Sequence, residues 1–299
     1  MSTWPAPLSF KSPKDLRAAA AAEGVALCDL AWTDIRGRLR HVGVVPEGLP
    51  DRGPLTLAGL DLTLDLSCVI RDPFAAQGTY KILCHGPGPD ARAALAAHGA
   101  EAQAGATLRF TLAEPGAATE SSVPPFAESP ADAYADIRGE VVTVLRAMGV
   151  PAAWHHHAGG GPGAGVVGIE PAPLLRAADG AVLGRYALAN VAASYGKRVC
   201  VHAVTFALPS PAPAAGPALA AVLHPCPTAY RAELPPPSEA SGACNPYLVL
   251  LALTATRAQE GPPPASLPEA LAALTASTLL PQDLTTAYAQ AVAQGLGEG

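Results

Sequence analysis

The stretch Trp154-His155-His156-His157-Ala158-Gly159-Gly160-Gly161-Pro162-Gly163-Ala164-Gly165-Val166-Val167-Gly168-Ile169 decides the layout of the chain. Three adjacent histidines followed by a glycine run predict a strand, a glycine loop and a second strand. Histidines beside a pliable backbone suit the wall of a binding site, yet no acidic side chain stands between His157 and Glu170. Neighbouring side chains on a strand point to opposite faces, so at most His155 and His157 share one. Imidazoles suit Zn²⁺ or Ni²⁺, but two ligands do not close a site, and the expectation is of strand residues lining a cleft. The run Gly-Gly-Gly-Pro-Gly-Ala-Gly lacks the Gly-Lys-Ser/Thr ending of a phosphate loop and does not open a helix, so no anion cradle is expected there.

On the amino-terminal side of this stretch, Asp132 to Met148 carries Ala133, Ile137, Val141, Val144, Leu145 and Met148 near helical spacing, with Gly149 as a stop. On its other side, Pro171 to Ala178 and Leu183 to Tyr195 are predicted as two helices, before a strand over Arg198 to Phe206. Further upstream, Ser12 as cap, Pro13 at the first helical position and Asp15 in the first turn mark a short helix ending at Gly24. Val25 to Trp32, a polar turn Asp34-Ile35-Arg36-Gly37 and Leu39 to Val45 predict a β-hairpin. One or two strands follow in Leu55 to Ile70, another at Thr79 to Cys84, a helix at Pro89 to His98 and a strand at Thr107 to Leu112. Two amphipathic helices close the sequence, Ala265 to Leu274 and Gln282 to Leu296.

At 299 residues the chain can bury a sizeable core in one large or two unequal domains. The charge of −6 is spread without blocks and gives no electrostatic reason to expect nucleic acid or an anionic membrane. No basic region followed by an apolar run opens the sequence and no stretch of about 18 apolar residues occurs, so a cytoplasmic protein is expected. Cysteines 28, 68, 84, 200, 226 and 244 are scattered singly, which predicts buried reduced thiols rather than disulfides or a zinc cluster. Arg71, Asp72 and Lys81 are expected to form surface pairs.

Several motifs resemble the glutamine synthetase family. Cys28 to Leu49, "CDLAWTDIRGRLRHVGVVPEGL", is similar to the family's opening hairpin, and Val69 to Gly86, "VIRDPFAAQGTYKILCHG", to its passage from small to large domain. "IRGEVVTVLRAMGVPAAWHHHAGGGPGAGVVGI", "RYALANVAASYGKRVCV", "PTAYRAEL" and "SGACNPYLVLLALTAT" resemble its later segments in the same order. The resemblance implies an α+β fold: a small amino-terminal β-grasp-like domain over residues 1–86 and a reduced catalytic-type domain, an antiparallel sheet with helices, over 87–299. It also implies ATP-dependent joining of glutamate and ammonia at a two-metal site held by carboxylates, in ring-shaped oligomers.

Against that pattern, Glu114 matches the first glutamate of the family's Glu-Pro-Glu pair and Gly116 stands at the second; the glutamates expected after the histidines and after the loop fall at Ala158 or Gly159 and at Val166. His156, His157 and Tyr230 match family positions, while Arg231 sits one place early for the family's arginine. Segments that ordinarily follow Phe206 and Leu234 are missing. Phosphoryl transfer depends on divalent cations held by oxygen ligands, so no cofactor is expected, and Glu114 is the one residual metal position. The expected function is that of a degenerate, binding, regulatory or assembly protein, partnered by itself as a homo-oligomer or by a full-length glutamine synthetase. The alternatives are an active ligase using Mg²⁺ and ATP at a simplified site, and a sensor of glutamate, glutamine or a polyamine.

Overall fold

The computed structural model describes residues 7–99, 101–114, 122–208, 217–223, 239–241, 243–255, 266–278 and 280–296. The first part is α1 (Pro13–Glu23) and a five-stranded sheet of β1 (Leu27–Thr33), β2 (Leu39–Val44), β3 (Leu55–Leu57), β4 (Leu60–Arg71) and β5 (Thr79–His85), in the order β2-β1-β5-β4-β3. β1 runs parallel to β5 and the other pairings are antiparallel. The capping predicted for α1 is present: the Ser12 hydroxyl accepts the Asp15 N–H, and Gly24 ends the helix at φ 68°.

The second part contains α2 (Ala91–His98), β6 (Gln103–Ala113), α3 (Ala135–Ala147), β7 (Ala152–His157), β8 (Ala164–Pro173), α4 (Leu174–Ser194), β9 (Arg198–Ala207), α5 (Pro217–Leu223), β10 (Glu239–Ser241), α6 (Pro246–Ala255), α7 (Leu267–Ala276) and α8 (Gln282–Leu296). Its sheet is antiparallel throughout, ordered β10-β9-β6-β8-β7. The chain is therefore α+β. Along β6, Leu108, Phe110 and Leu112 are buried while Thr107, Arg109 and Thr111 are not. That period of two turns one face to the core beside α3 and α4 and leaves the other open.

Two cores form. Leu30, Val69, Tyr80 and Ile82 of the small sheet pack with Leu16 and Ala20 of α1. Ala31, Ile70 and Leu83 join the main core with the large sheet and its helices. Fully burying each such Leu or Ile contributes about 1.5–3 kcal/mol, so the small sheet is held from both sides.

Two expectations are corrected. The segment predicted as two helices is one, α4, and β8 extends through Pro173. Asp179-Gly180 and Gly184 resemble a break in sequence, but a β-carbon on Gly180 would stand 3.3 Å from Val150, and one on Gly184 3.1 Å from Leu108. These glycines cost about 1 kcal/mol each against alanine, and they let the helix lie close on the sheet. The surface pairs are also revised. Arg71 does meet Glu23 at the surface, but the side chains of Lys81 and Asp72 are only 3% and 4% exposed. Lys81 bridges Asp29 and Asp72 and lies 4.8 Å from the Tyr186 ring centroid, while Tyr186 donates to Asp72. A buried ammonium without these partners would be strongly unfavourable.

A second buried network joins α2, α4, α6 and β4. Arg92, 1% exposed, donates through Nε to Asp179 at 2.9 Å and through Nη2 to Asp65 at 2.7 Å, and Tyr247 donates to Asp179 at 2.8 Å. Cys28, Cys68, Cys84 and Cys244 are buried free thiols and Cys200 is exposed; Cys226 lies outside the described residues. No helix among the described residues is long and apolar enough to cross a membrane.

Candidate functional site: the open face of the large sheet

Strand register places the histidines. His156 pairs with Val166 on β8, and Val166 with Arg109 on β6, so these three side chains share a row on the face turned away from α3 and α4, with Val166 buried between its neighbours. The next row holds Trp154, Gly168 and Thr107, and on the far side of Arg109's row Ala164 pairs with Thr111 and Thr111 with Cys200. His155 and His157 point the other way, as the alternation requires. The three histidines do not converge, and no group of three or more His, Cys, Asp or Glu able to hold a metal occurs among the described residues.

Each histidine has a separate environment. His157 is fully buried; its Nε2–H donates to the Pro162 carbonyl at 3.2 Å and its Nδ1 accepts the Gly159 N–H at 3.0 Å, which fixes the tautomer and anchors the glycine loop. His156 donates from Nδ1 to the His157 carbonyl at 2.8 Å, leaving Nε2 as an acceptor on the open face. Its ring stacks with Phe126 at 4.3 Å and Trp154 at 5.7 Å between centroids. Phe126 is 74% exposed and holds φ 58°, a strained backbone for an aromatic residue.

His155 is half-buried against α3, and burial, then the Arg138 guanidinium, push its imidazole below the ordinary 6.5. A base with a depressed folded pKa is protonated more readily in the unfolded chain, so its stability contribution is whole above about 6.5 and falls as pH drops through the folded value. The urea midpoint of the wild type is expected to fall between pH 7.5 and pH 5.5 more steeply than that of His155→Gln. Parallel pH profiles would refute this.

The glycine loop is built for packing. The N–H groups of Ala158, Gly159, Gly160 and Ala164 are committed to Ala164 O, His157 Nδ1, Val123 O and Gly161 O. A phosphate would need such donors free. Gly163 lies so close to β6 that a β-carbon would stand 1.7 Å from the Leu112 carbonyl oxygen. Gly168 leaves room for Trp154: a β-carbon there would fall 1.9 Å from Trp154 Cε2. The indole is 45% exposed and can swing away, so Gly168→Ala is expected to cost about 1 kcal/mol while changing tryptophan emission. Unchanged emission would contradict the placement.

Glu114 follows the last residue of β6, five positions beyond Arg109 and roughly 16 Å along the strand at about 3.3 Å per residue. It is exposed, and its ion pair with Lys197 holds its carboxyl below the usual glutamate value. It therefore stands apart from the row of His156 and Val166, where Arg109 is the charged side chain. The alternation Thr107-Leu108-Arg109-Phe110-Thr111-Leu112 carried that signal. On β9, His202 meets the Thr111 hydroxyl at 2.7 Å and Cys200 Sγ at 3.8 Å. The open face thus carries imidazoles, guanidinium, a thiol and aromatic rings, and Glu114 sits beyond the end of β6. Tyr230 and Arg231 lie outside the described residues.

Comparison with known proteins places this geometry. Residues 93–209 match the family model described as glutamine synthetase, catalytic domain. The chain is 28% identical over 234 residues to a glutamine synthetase of Azospirillum brasilense, covering 50% of that protein. It is 38% identical over 74 residues to a glutamine synthetase of Nostoc sp., covering 16% of it, and 36% identical over 72 residues to a 3-hydroxylaminophenol mutase of Cupriavidus pinatubonensis, covering 15%. The chain thus spans half or less of the length of these relatives. In fold it matches a GmaS/ADP complex and an apo GmaS, each with a TM-score of 0.76 at 16% identity over 95% of this chain and 96% of the other. The match to the catalytic-domain model runs through β6, β7, β8 and β9 of the open face, and the fold is shared with the GmaS structures along nearly the whole length.

Proposed function

We propose that this chain is a glutamine synthetase-family protein that has lost ATP-dependent ligation of glutamate and ammonia and acts as a binding, regulatory or assembly protein through the open face of its large sheet. The observation that carries this is the row His156–Val166–Arg109. Phosphoryl transfer needs Mg²⁺ held by several carboxylate oxygens. Here valine stands mid-row and a fixed cation stands beside it. At about 8 Å and an effective dielectric near 20, that guanidinium opposes each unit of cation charge by about 2 kcal/mol, or about 4 kcal/mol for a dication. The donor set does not fit a Mg²⁺ pair.

The same face suits anionic or aromatic surfaces, since Arg109 and the row of Phe126, His156 and Trp154 offer charge and stacking area. A second copy of the chain or a full-length glutamine synthetase is the proposed partner. Size-exclusion chromatography with light scattering, on the chain alone and mixed with a full-length glutamine synthetase from the same cell, is expected to show a complex that Arg109→Glu weakens.

The ligase reading is tested directly, because a fold neighbour was captured with ADP. A ligand at about 100 times its Kd stabilises the folded state by about 2.7 kcal/mol. Millimolar ATP with Mg²⁺ is expected to leave the melting temperature unchanged. A rise abolished by Glu114→Gln would overturn the proposal in favour of an active ligase, and a rise with glutamate, glutamine or a polyamine alone would favour a sensor.

A further inference from the structure

Away from the open sheet face, a cavity of about 480 Å³ lies between the β1–β2 turn, α4 and α8. Its charged lining consists of three arginines, Arg36 and Arg38 from the turn and Arg185 from α4, with no carboxylate among the described lining residues. Its walls include Leu39, Tyr186 and Tyr288. In a chain of net charge −6, three guanidinium groups facing one concavity are a local reversal of charge.

The one carboxylate in the turn is already committed. Asp34 Oδ1 accepts the backbone N–H groups of Arg36 and Arg38, and its Oδ2 accepts Nε and Nη2 of Arg40. The turn is therefore closed by Asp34 while Arg40 neutralises it. Arg36 and Arg38 have no hydrogen-bonding or ion-pairing partner for their guanidinium groups among the described residues. Arg185 is oriented by Cys244, donating to its carbonyl at 2.9 Å and its sulfur at 3.3 Å, and its Nε is buried with no partner among the described residues. An unmet buried donor of a charged group is costly, and it stands in the wall of a cavity sized for a small molecule.

The geometry points to a binding site for a small organic anion, a phosphate or carboxylate group on an apolar body, held by Arg36, Arg38 and Arg185 with the body against Leu39, Tyr186 and Tyr288. Guanidinium forks match both oxyanions in bidentate fashion, and the apolar wall excludes a bare inorganic ion as the preferred occupant. The site is separate from the sheet face, so it stands whether or not ligation is lost there.

Isothermal titration calorimetry on the full chain tests it, with phenyl phosphate and phenylacetate as organic probes and inorganic phosphate as the reference. At least one organic probe is expected to bind saturably and more tightly than inorganic phosphate; which one distinguishes the two head groups. Arg36→Gln and Arg38→Gln are each expected to weaken it about tenfold, the equivalent of one charge-assisted contact, with melting temperature unchanged. Arg40→Gln is expected to bind as the wild type does. No saturable binding at about 10 mM, far above the affinity such a contact set supports, would overturn the inference. So would an affinity indifferent to Arg36 and Arg38, or inorganic phosphate binding as tightly as the tighter of the two organic probes.

Discussion

Asp179→Ala is expected to lower folding stability by about 3–5 kcal/mol, with a fall in melting temperature of roughly 10 °C for a chain of this size. Asp179 is 2% exposed and accepts from Arg92 Nε, from Arg92 Nη2 at 3.1 Å and from the Tyr247 hydroxyl. Truncation leaves the buried guanidinium with Asp65 alone and leaves a buried phenol without its acceptor. Burial, then the Asp179 charge, already hold the Tyr247 phenol well above its usual ionisation, so it stays a donor in search of an oxygen. Asp179→Asn keeps the shape but loses the charge and is expected to fall between. Arg176 touches the same carboxylate at 3.4 Å from a 28% exposed side chain, and Arg176→Ala is expected to cost under about 1 kcal/mol. Urea denaturation of the three variants checks the order, and equal losses for Asp179→Ala and Arg176→Ala would remove the network's assigned role in holding α2, α4 and α6 together.

Asp179 also shows why part of the fold was hidden in the sequence. Where the governing interactions are local, the residues announce them: Ser12, Pro13 and Gly24 delimit α1, and Asp34 to Gly37 turn β1 into β2. Asp179-Gly180 reads locally as a break, because the partners that make it helical, Arg92 and Val150, lie 87 and 30 positions away. Lys81 and Asp72 looked like surface charges for the same reason, since burial from both sides of the small sheet is a tertiary property. The candidate site was legible in part. Alternation placed His156 opposite His155 and His157, and the absence of an acidic side chain between His157 and Glu170 was readable directly. That Arg109 shares the row of His156 and Val166 and Glu114 does not depended on the β6–β8 register, which a lone strand does not reveal. The arginine cavity was out of reach, because its lining comes from segments about 100 to 250 residues apart in sequence that only packing joins.

Gly163→Ala is expected to cost about 3 kcal/mol or more, against about 1–2 kcal/mol for Gly160→Ala. Gly160 holds φ 100° with nothing within 4 Å of a built β-carbon, so alanine there suffers backbone strain and no collision. At Gly163 the collision is with backbone: the β-carbon would stand 1.7 Å from the Leu112 carbonyl oxygen and 2.7 Å from its carbon, neither of which can rotate away. Relief requires the loop to lift from β6, which breaks the 2.9 Å bond from the Leu112 N–H to the Gly163 carbonyl and pulls on the Pro162 carbonyl that His157 holds. Hydrogen exchange at the Leu112 amide is therefore expected to accelerate strongly in Gly163→Ala and little in Gly160→Ala. The contrast separates two accounts of the glycine run. If its purpose were a pliable cradle for a ligand, the two alanines would act alike and mildly, and binding would change more than stability. If the run exists so that the loop can lie directly on β6, one position dominates, and the effect reaches the end of the sheet where Thr111 and Glu114 stand.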